Sequence, residues 1–164
     1  MFLSVIIPNY NHAPYLSERI DSVLNQTFQD FEIIILDDCS TDNSKEIIEK
    51  YRNHPKISHI LFNEQNSGST FKQWEKGLAL TKGKYIWIAE SDDVADEKIL
   101  EKMISTIEKD SEISVVYCKS VKIDENNQTI GMAKWGTQLD NKKWEKNFIN
   151  DGNTEIEKYF RYYC

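Results

Sequence analysis

FEIIILDD, Phe31 to Asp38, decides the class of fold. Its first six residues read as a continuous apolar run, the pattern of a strand covered on both faces, and the run stops at two adjacent carboxylates. Upstream, Leu3 to Ile7 has the same character and is followed by a helix opened by Pro14, in which Leu16, Ile20, Val23 and Leu24 form an apolar stripe. Downstream, Ser40 to Ser44 offers several helix caps before a helix bearing Ile47, Ile48 and Tyr51, and Ile57 to Phe62 reads as a third strand. The polar loop NEQNSGS then leads into a helix whose Phe71, Trp74 and Leu78 are spaced for burial, and that helix feeds KYIWIAESDD, Lys84 to Asp93. A helix with Ile99, Leu100, Met103, Ile104 and Ile107 on its buried face follows, and Ile113 to Cys118 reads as a further strand. Repeated β-α-β units predict an α/β fold with a mostly parallel central sheet flanked by helices.

Beyond residue 119 the regularity weakens. SVKID and QTIGM flank the turn-prone ENN and predict a hairpin. Trp135 to Asn153 is polar with scattered aromatics, and TEIEKYFRYYC reads as a helix with Ile156, Tyr159, Phe160 and Tyr163 spaced for burial. That pattern stops without a cap, so the chain is expected to be part of a longer protein.

The chain has 164 residues, 40% of them hydrophobic, enough for one domain of average size. A formal net charge of −7 argues against nucleic acid or an anionic membrane surface as the main partner, and an anionic ligand would need a metal to mediate. No signal peptide or membrane-spanning pattern is seen at the N-terminus, which predicts a cytoplasmic chain, with any membrane contact left to segments of a longer protein. Cys39, Cys118 and Cys164 are odd in number and widely spaced, as expected of reduced thiols.

Three strand ends carry polar clusters: Pro8-Asn9-Tyr10-Asn11, Asp37-Asp38-Cys39-Ser40 and Glu90-Ser91-Asp92-Asp93. In a parallel sheet all three fall on one edge, the edge where open α/β sheets bind ligands. Gathered carboxylates there suit a hard divalent cation such as Mg²⁺ or Mn²⁺, which offsets their repulsion and polarises a phosphoryl oxygen. For any one cluster alone, an ordinary acid-rich turn is the competing reading.

SVIIPNYN, the QTFQDFEIIILDDCSTDNS block and the strand ending in SDD resemble, in order and spacing, the N-terminal motifs of the family 2 nucleotide-diphospho-sugar glycosyltransferases of the GT-A fold. The resemblance covers most of the chain to about Cys118 and implies a Rossmann-like GT-A sandwich. It implies residues 1–118 as the nucleotide-sugar-binding core and 119–164 as the start of the acceptor side. By the same resemblance, Pro8 and Tyr10 flank the nucleobase, and Asp38 accepts the imide N–H of a uracil or thymine. Asp37 orients or caps. Asp92 and Asp93 match the acids that hold the ribose and a divalent metal, Asp93 being the direct ligand. Glu90 stands where the family usually has Asp and carries an extra methylene. Asn11 belongs to the first motif, and Asn66 and Gly68 lie where the family places a donor-side loop, although loop composition accounts for the latter two about as well.

The implied reaction is transfer of a sugar from a UDP-linked donor to a hydroxyl on a glycan or lipid-linked acceptor, with inversion, a carboxylate acting as general base. That base is expected beyond Cys164; Asp124, Asp140, Asp151 and Glu155 qualify by residue type only. Two other functions use acids at a strand end: a sugar-phosphate nucleotidyltransferase, for which no Gly-rich basic phosphate loop is seen, and an Mg²⁺-binding phospho-accepting regulatory domain. Trp74 and Trp87 read as core, and Gly77 as a site of close packing or ligand approach. His12 directly follows PNYN and either faces the site or, by default, is an exposed loop histidine, while Lys82 and Lys84 either offset the acids or solvate a turn.

Overall fold

The computed structural model describes residues 1–133 and 143–159. They divide into two compact units, Met1–Ser114 and Val115–Cys164. The first unit holds strands β1 (Leu3–Asn9), β2 (Phe31–Asp37), β3 (Ile57–Phe62) and β4 (Tyr85–Ile88), with helices α1 (Ala13–Leu24), α2 (Ser44–Lys50), α3 (Thr70–Leu78) and α4 (Ile99–Ile107). The four strands form one parallel sheet in the order β3-β2-β1-β4. The α/β architecture with a parallel sheet is therefore the one expected from the alternating pattern.

Strand periodicity sorts the core into two layers. Leu3, Val5 and Ile7 with Phe31, Ile33 and Ile35 pack against Leu16, Ile20 and Val23 of α1, Ile48 of α2, and Leu100 and Ile104 of α4. Ile6, Ile34 and Leu36 point to the opposite face, together with Leu61 and Leu80. Each of the fully buried isoleucines contributes about 1.5–3 kcal/mol of transfer free energy. Pro8 is accommodated in a central strand because β4 stops pairing at Ile6↔Ile88, so its missing N–H falls beyond the end of that ladder.

The α3 stripe departs from its expected orientation. Phe71 and Leu78 are 72% and 45% exposed, whereas Gln73 and Gly77 are buried. The reason is steric: a Cβ on Gly77 would lie 2.6 Å from Ile6 Cγ2, so the helix approaches the sheet through the residue that has no side chain. This gives Gly77 the close-packing role left open by the sequence. Glu32 interrupts the apolar run of β2 yet is buried, accepting hydrogen bonds from Ser4 Oγ at 2.7 Å and Lys82 N–H at 2.9 Å.

Ile113 to Cys118 is not a strand. It crosses the boundary between the units and belongs to neither described sheet, and Val115 and Tyr117 are exposed. Without a ladder partner, β propensity alone does not hold a backbone extended. In the second unit the expected hairpin is present as β5 (Val121–Ile123) and β6 (Thr129–Met132), antiparallel. The last helix, α5 (Gly152–Tyr159), begins before the expected stretch, and its Ile156 is 57% exposed rather than buried. Trp135, Asp140, Phe160, Tyr163 and Cys164 lie outside the described residues. Cys39 and Cys118 are both thiols. Among the described residues no helix is long and apolar enough to cross a membrane.

Candidate functional site

β1 feeds β2 and β2 feeds β3 on one side, and the chain then crosses back to place β4 on the other side of β1. The carboxyl ends of β1 and β4 thus border the switch point of the sheet, where α/β proteins open a crevice. A cleft of ≈ 400 Å³ lies there, and Pro8, Tyr10, Asp38, Asn66, Gly68 and Glu90 are among its lining residues. Residues far apart in the chain, each singled out from sequence, are brought together.

Asp38 is buried and is held by four hydrogen bonds. Its Oδ1 accepts from Asn63 Nδ2 at 2.6 Å, Ser67 N–H at 2.9 Å and Gln73 Nε2 at 2.9 Å, while Oδ2 accepts only from Ser67 Oγ at 2.7 Å. One carboxylate oxygen therefore keeps acceptor capacity. Asn66 closes the same loop by donating to the Asp38 carbonyl at 3.0 Å and accepting from Gly68 N–H at 2.8 Å. Gly68 has φ +70° with nothing within 4 Å of a hypothetical Cβ, so its requirement is conformational.

Asp37 and Asn11 brace the cleft rather than line it. Asp37 accepts from Asn9 Nδ2 at 2.8 Å, Ser40 Oγ at 2.6 Å and Ser40 N–H at 3.0 Å. Asn11 donates its N–H to Ser40 Oγ at 2.9 Å and accepts from Thr41 N–H at 2.7 Å. These bonds clasp the loop after β1 to the loop after β2. The clasp holds two non-glycine residues in the left-handed region, Asn11 at φ 56° and Cys39 at φ 62°, a cost that surrounding structure must offset. Tyr10 stands beside it, 46% exposed.

The acidic strand end is divided. Glu90 and Ser91 face the cleft, Glu90 Oε1 accepting from Trp74 Nε1 at 2.9 Å. Trp74 is thus partly a hydrogen-bond donor to the site and not only core. Asp92 and Asp93 follow directly; both are exposed, and their carboxylates accept no hydrogen bond among the described residues. Among the described residues no three histidine, cysteine or acidic side chains are arranged to hold an ion by themselves. Lys82 and Lys84 precede β4 and so lie at the opposite edge of the sheet, where they cannot offset these acids. Asp124 caps the hairpin turn and Asp151 the start of α5, while Glu155 accepts from Lys143 and Asn150. All three act locally.

His12 takes the site-facing alternative rather than the default exposed one: it is half-buried in the cleft wall, with Nδ1 2.7 Å from the Oγ of buried Ser91. Several site residues escaped the sequence reading. Gln73, Asn63 and Ser67 converge on Asp38, and nothing in their local sequence marks them. Arg19 did leave a signal: it stands among Leu16, Ile20 and Val23 on the buried face of α1.

Burial raises the pKa of Glu90; the Trp74 N–H opposes this, the charges of Asp92 and Asp93 add to it, and Arg19 pulls it back. The proton is therefore held more tightly in the folded chain, so stability falls as pH rises from the ordinary glutamate range through the raised value. Glu90→Gln keeps an acceptor for Trp74 and removes the titration. Urea unfolding at a series of pH values should show the variant gaining on the native chain across that window, and a pH-independent difference would contradict the burial of this charge.

Comparisons with known proteins agree with this geometry. Residues 4–160 match the model of "Glycosyl transferase family 2". Glycosyltransferase GlyG of Streptococcus pneumoniae serotype 4 is 36% identical over 114 residues, covering 69% of this chain and 38% of that protein. The crystal structure of S. aureus TarS 1-349 in complex with UDP-GlcNAc superposes with a TM-score of 0.61 at 35% identity, covering 66% of this chain and 32% of that one. A mannosyltransferase from Pyrobaculum calidifontis, solved with GDP-Man and Mn²⁺, shares the fold at a TM-score of 0.58 and 19% identity, over 74% of this chain and 35% of that one. The chain spans 38%, 41% and 40% of the lengths of three curated relatives it matches. With its family model matched over nearly its whole length, its parallel sheet and its strand-end cleft, the chain belongs to glycosyl transferase family 2.

Proposed function

We propose that this chain is the donor-binding part of a metal-dependent glycosyltransferase that uses a uridine-diphospho-sugar and transfers the sugar, with inversion, to a hydroxyl of a glycan or lipid-linked acceptor. The observation that carries the reading is the placement of Asp38, with one carboxylate oxygen still able to accept, in the same cleft as Tyr10 and Glu90. TarS, 35% identical, binds UDP and UDP-GlcNAc, which favours uridine. The nucleotidyltransferase and phospho-acceptor readings lose their footing with membership in this family.

In this mechanism the Tyr10 ring stacks on the base and Pro8 closes the pocket. Asp38 Oδ2 accepts the imide N–H while Oδ1 stays fixed by Asn63, Ser67 and Gln73. Asp92 holds the ribose. Asp92 and Asp93, hard oxygens without hydrogen-bond partners among the described residues, would hold a Mn²⁺ or Mg²⁺ ion together with the donor. Such an ion would supply charge neutralisation for the departing nucleotide. Residues 1–118 form this donor half and 119–164 open the acceptor side; a carboxylate outside the donor site would remove the proton of the acceptor hydroxyl as that hydroxyl attacks the anomeric carbon.

Calorimetric titration with UDP in Mn²⁺ and again in chelator tests the reading. Binding should be markedly tighter with Mn²⁺, and Asp93→Ala should abolish that gain, at least about tenfold in Kd, while leaving metal-free affinity in place. Equal affinities in the two conditions for the native chain would sink the metal bridge.

A further inference from the structure

The α1 face turned toward the acidic strand end carries the polar side chains Arg19 and Ser22, at i and i+3, and Gln26 follows just past the end of the helix. Two of them are pinned to the segment that follows the acids. Ser22 Oγ accepts from Ala95 N–H at 3.3 Å, and Gln26 donates Nε2 to the Asp96 carbonyl at 2.7 Å and accepts from Leu100 N–H at 3.1 Å. At the head of the helix His12 is tied to Ser91. Arg19 lies between these pins, one turn before Ser22, and so sits abreast of the residues just before Ala95.

Arg19 is 3% exposed, its guanidinium carbon is 5.0 Å from the centre of the Trp87 ring, and its buried Nε has no hydrogen-bond partner among the described residues. Burial pushes its pKa down, and the charges of Asp93, Glu90 and Asp92 act against that. Burying a cation is costly unless opposite charge lies close by. An aliphatic residue at this position would complete the apolar stripe of α1 without that cost. What distinguishes the site is the acidic turn beside it.

We propose that Arg19 is a positioning residue, a built-in countercharge beneath the Glu90–Asp93 turn that holds the bare carboxylates together, tempers their affinity for a divalent ion and draws the donor's diphosphate. The inference rests on the donor-site reading above. Its electrostatic signature differs from that of a merely structural residue. Removing the positive charge should tighten the binding of Mn²⁺ alone and weaken the binding of UDP without metal, two shifts in opposite directions.

Arg19→Met keeps the length of the side chain and its packing on Trp87, and Arg19→Gln serves as a second neutral variant should the first unfold. Mn²⁺ titration without nucleotide should show a roughly 3–10-fold lower Kd than the native chain. Equilibrium dialysis of labelled UDP in chelator should show a Kd higher by a similar factor of about 3–10. Arg19→Lys should restore both toward native values, because Arg19 makes no forked hydrogen bond that an ammonium could not replace. If both affinities fall together, or neither moves, the countercharge role is overturned. If the native chain takes up Mn²⁺ but not UDP, the donor reading fails along with the diphosphate half of the inference, while tighter Mn²⁺ binding by the neutral variants still supports the countercharge half.

Discussion

Asp38→Ala is expected to lose both stability and nucleotide binding, and Asp38→Asn to lose binding with most of its stability kept. In the alanine variant Asn63, Ser67 and Gln73 are left with four donors that had converged on one buried carboxylate. An unsatisfied buried donor costs about 1–3 kcal/mol, and water entering from the adjoining cleft recovers part of this, so the expected net loss is about 2–4 kcal/mol. Asparagine can keep its carbonyl oxygen where Oδ1 receives three donors and turn its amide toward Ser67 Oγ, a hydroxyl able to accept. Its stability cost should therefore stay near about 1 kcal/mol. The same amide then offers N–H where the uracil imide also offers N–H, and the affinity for UDP should drop about 10–100-fold. Denaturant unfolding and UDP titration of both variants separate the two effects. Native-like UDP affinity in Asp38→Asn would show that the base is read elsewhere.

Gly83→Ala should be among the most destabilising single substitutions in the sheet. A Cβ at Gly83 would lie 2.4 Å from the Ser4 nitrogen and 2.5 Å from the Leu3 carbonyl carbon. Both atoms belong to β1, paired on both sides by β2 and β4, so neither can give way locally. Moving the 82–83 turn outward instead breaks its hydrogen bonds to Ser4 Oγ and Glu32, the 2.8 Å bond from Gly83 N–H among them. The expected loss is about 3–5 kcal/mol, a large share of the 5–15 kcal/mol typical of a domain. Gly77→Ala is the matched control: its new methyl meets the Ile6 side chain, which can change rotamer, and about 1–3 kcal/mol should be lost. Urea midpoints for the two variants provide the check. A Gly83→Ala cost no larger than that of Gly77→Ala would mean that the 82–83 turn does not rest on β1 as described.

Both substitutions bear on the proposed donor site. Gly83 sets how β4 enters the sheet beside β1, and the exit of β4 presents Glu90 and Ser91 to the cleft. Asp38 fixes the opposite wall. A donor held between the two walls would have its base and its diphosphate placed by separate strands, and positioning of this kind contributes much of the rate in group transfer.

What the amino-acid order determined by itself was the local alternation of strand and helix and the kind of chemistry at the strand ends. Runs such as Phe31–Leu36 and Ile57–Phe62 form strands because β-branched residues fit a covered pleated surface, and Pro8-Asn9-Tyr10, Asp37-Asp38 and Glu90 to Asp93 fall at or just past strand ends because each run ends at polar residues. Periodicity also gave the buried faces of α1 and α4. It misjudged α3, because a spacing of apolar residues does not reveal that the helix packs through Gly77, and it misjudged Ile113–Cys118, because a strand exists only with a partner. Tertiary structure alone decided the order β3-β2-β1-β4, which puts the ends of β1 and β4 at a switch point and opens the cleft between them. It also decided that Gln73 and Asn63 hold Asp38, that His12 meets Ser91, and that Arg19 is buried over the Trp87 ring. These contacts join residues 25 to 79 positions apart wherever a hydrogen bond records them, and chain pairing over such distances is set by packing of the whole sheet rather than by any local propensity.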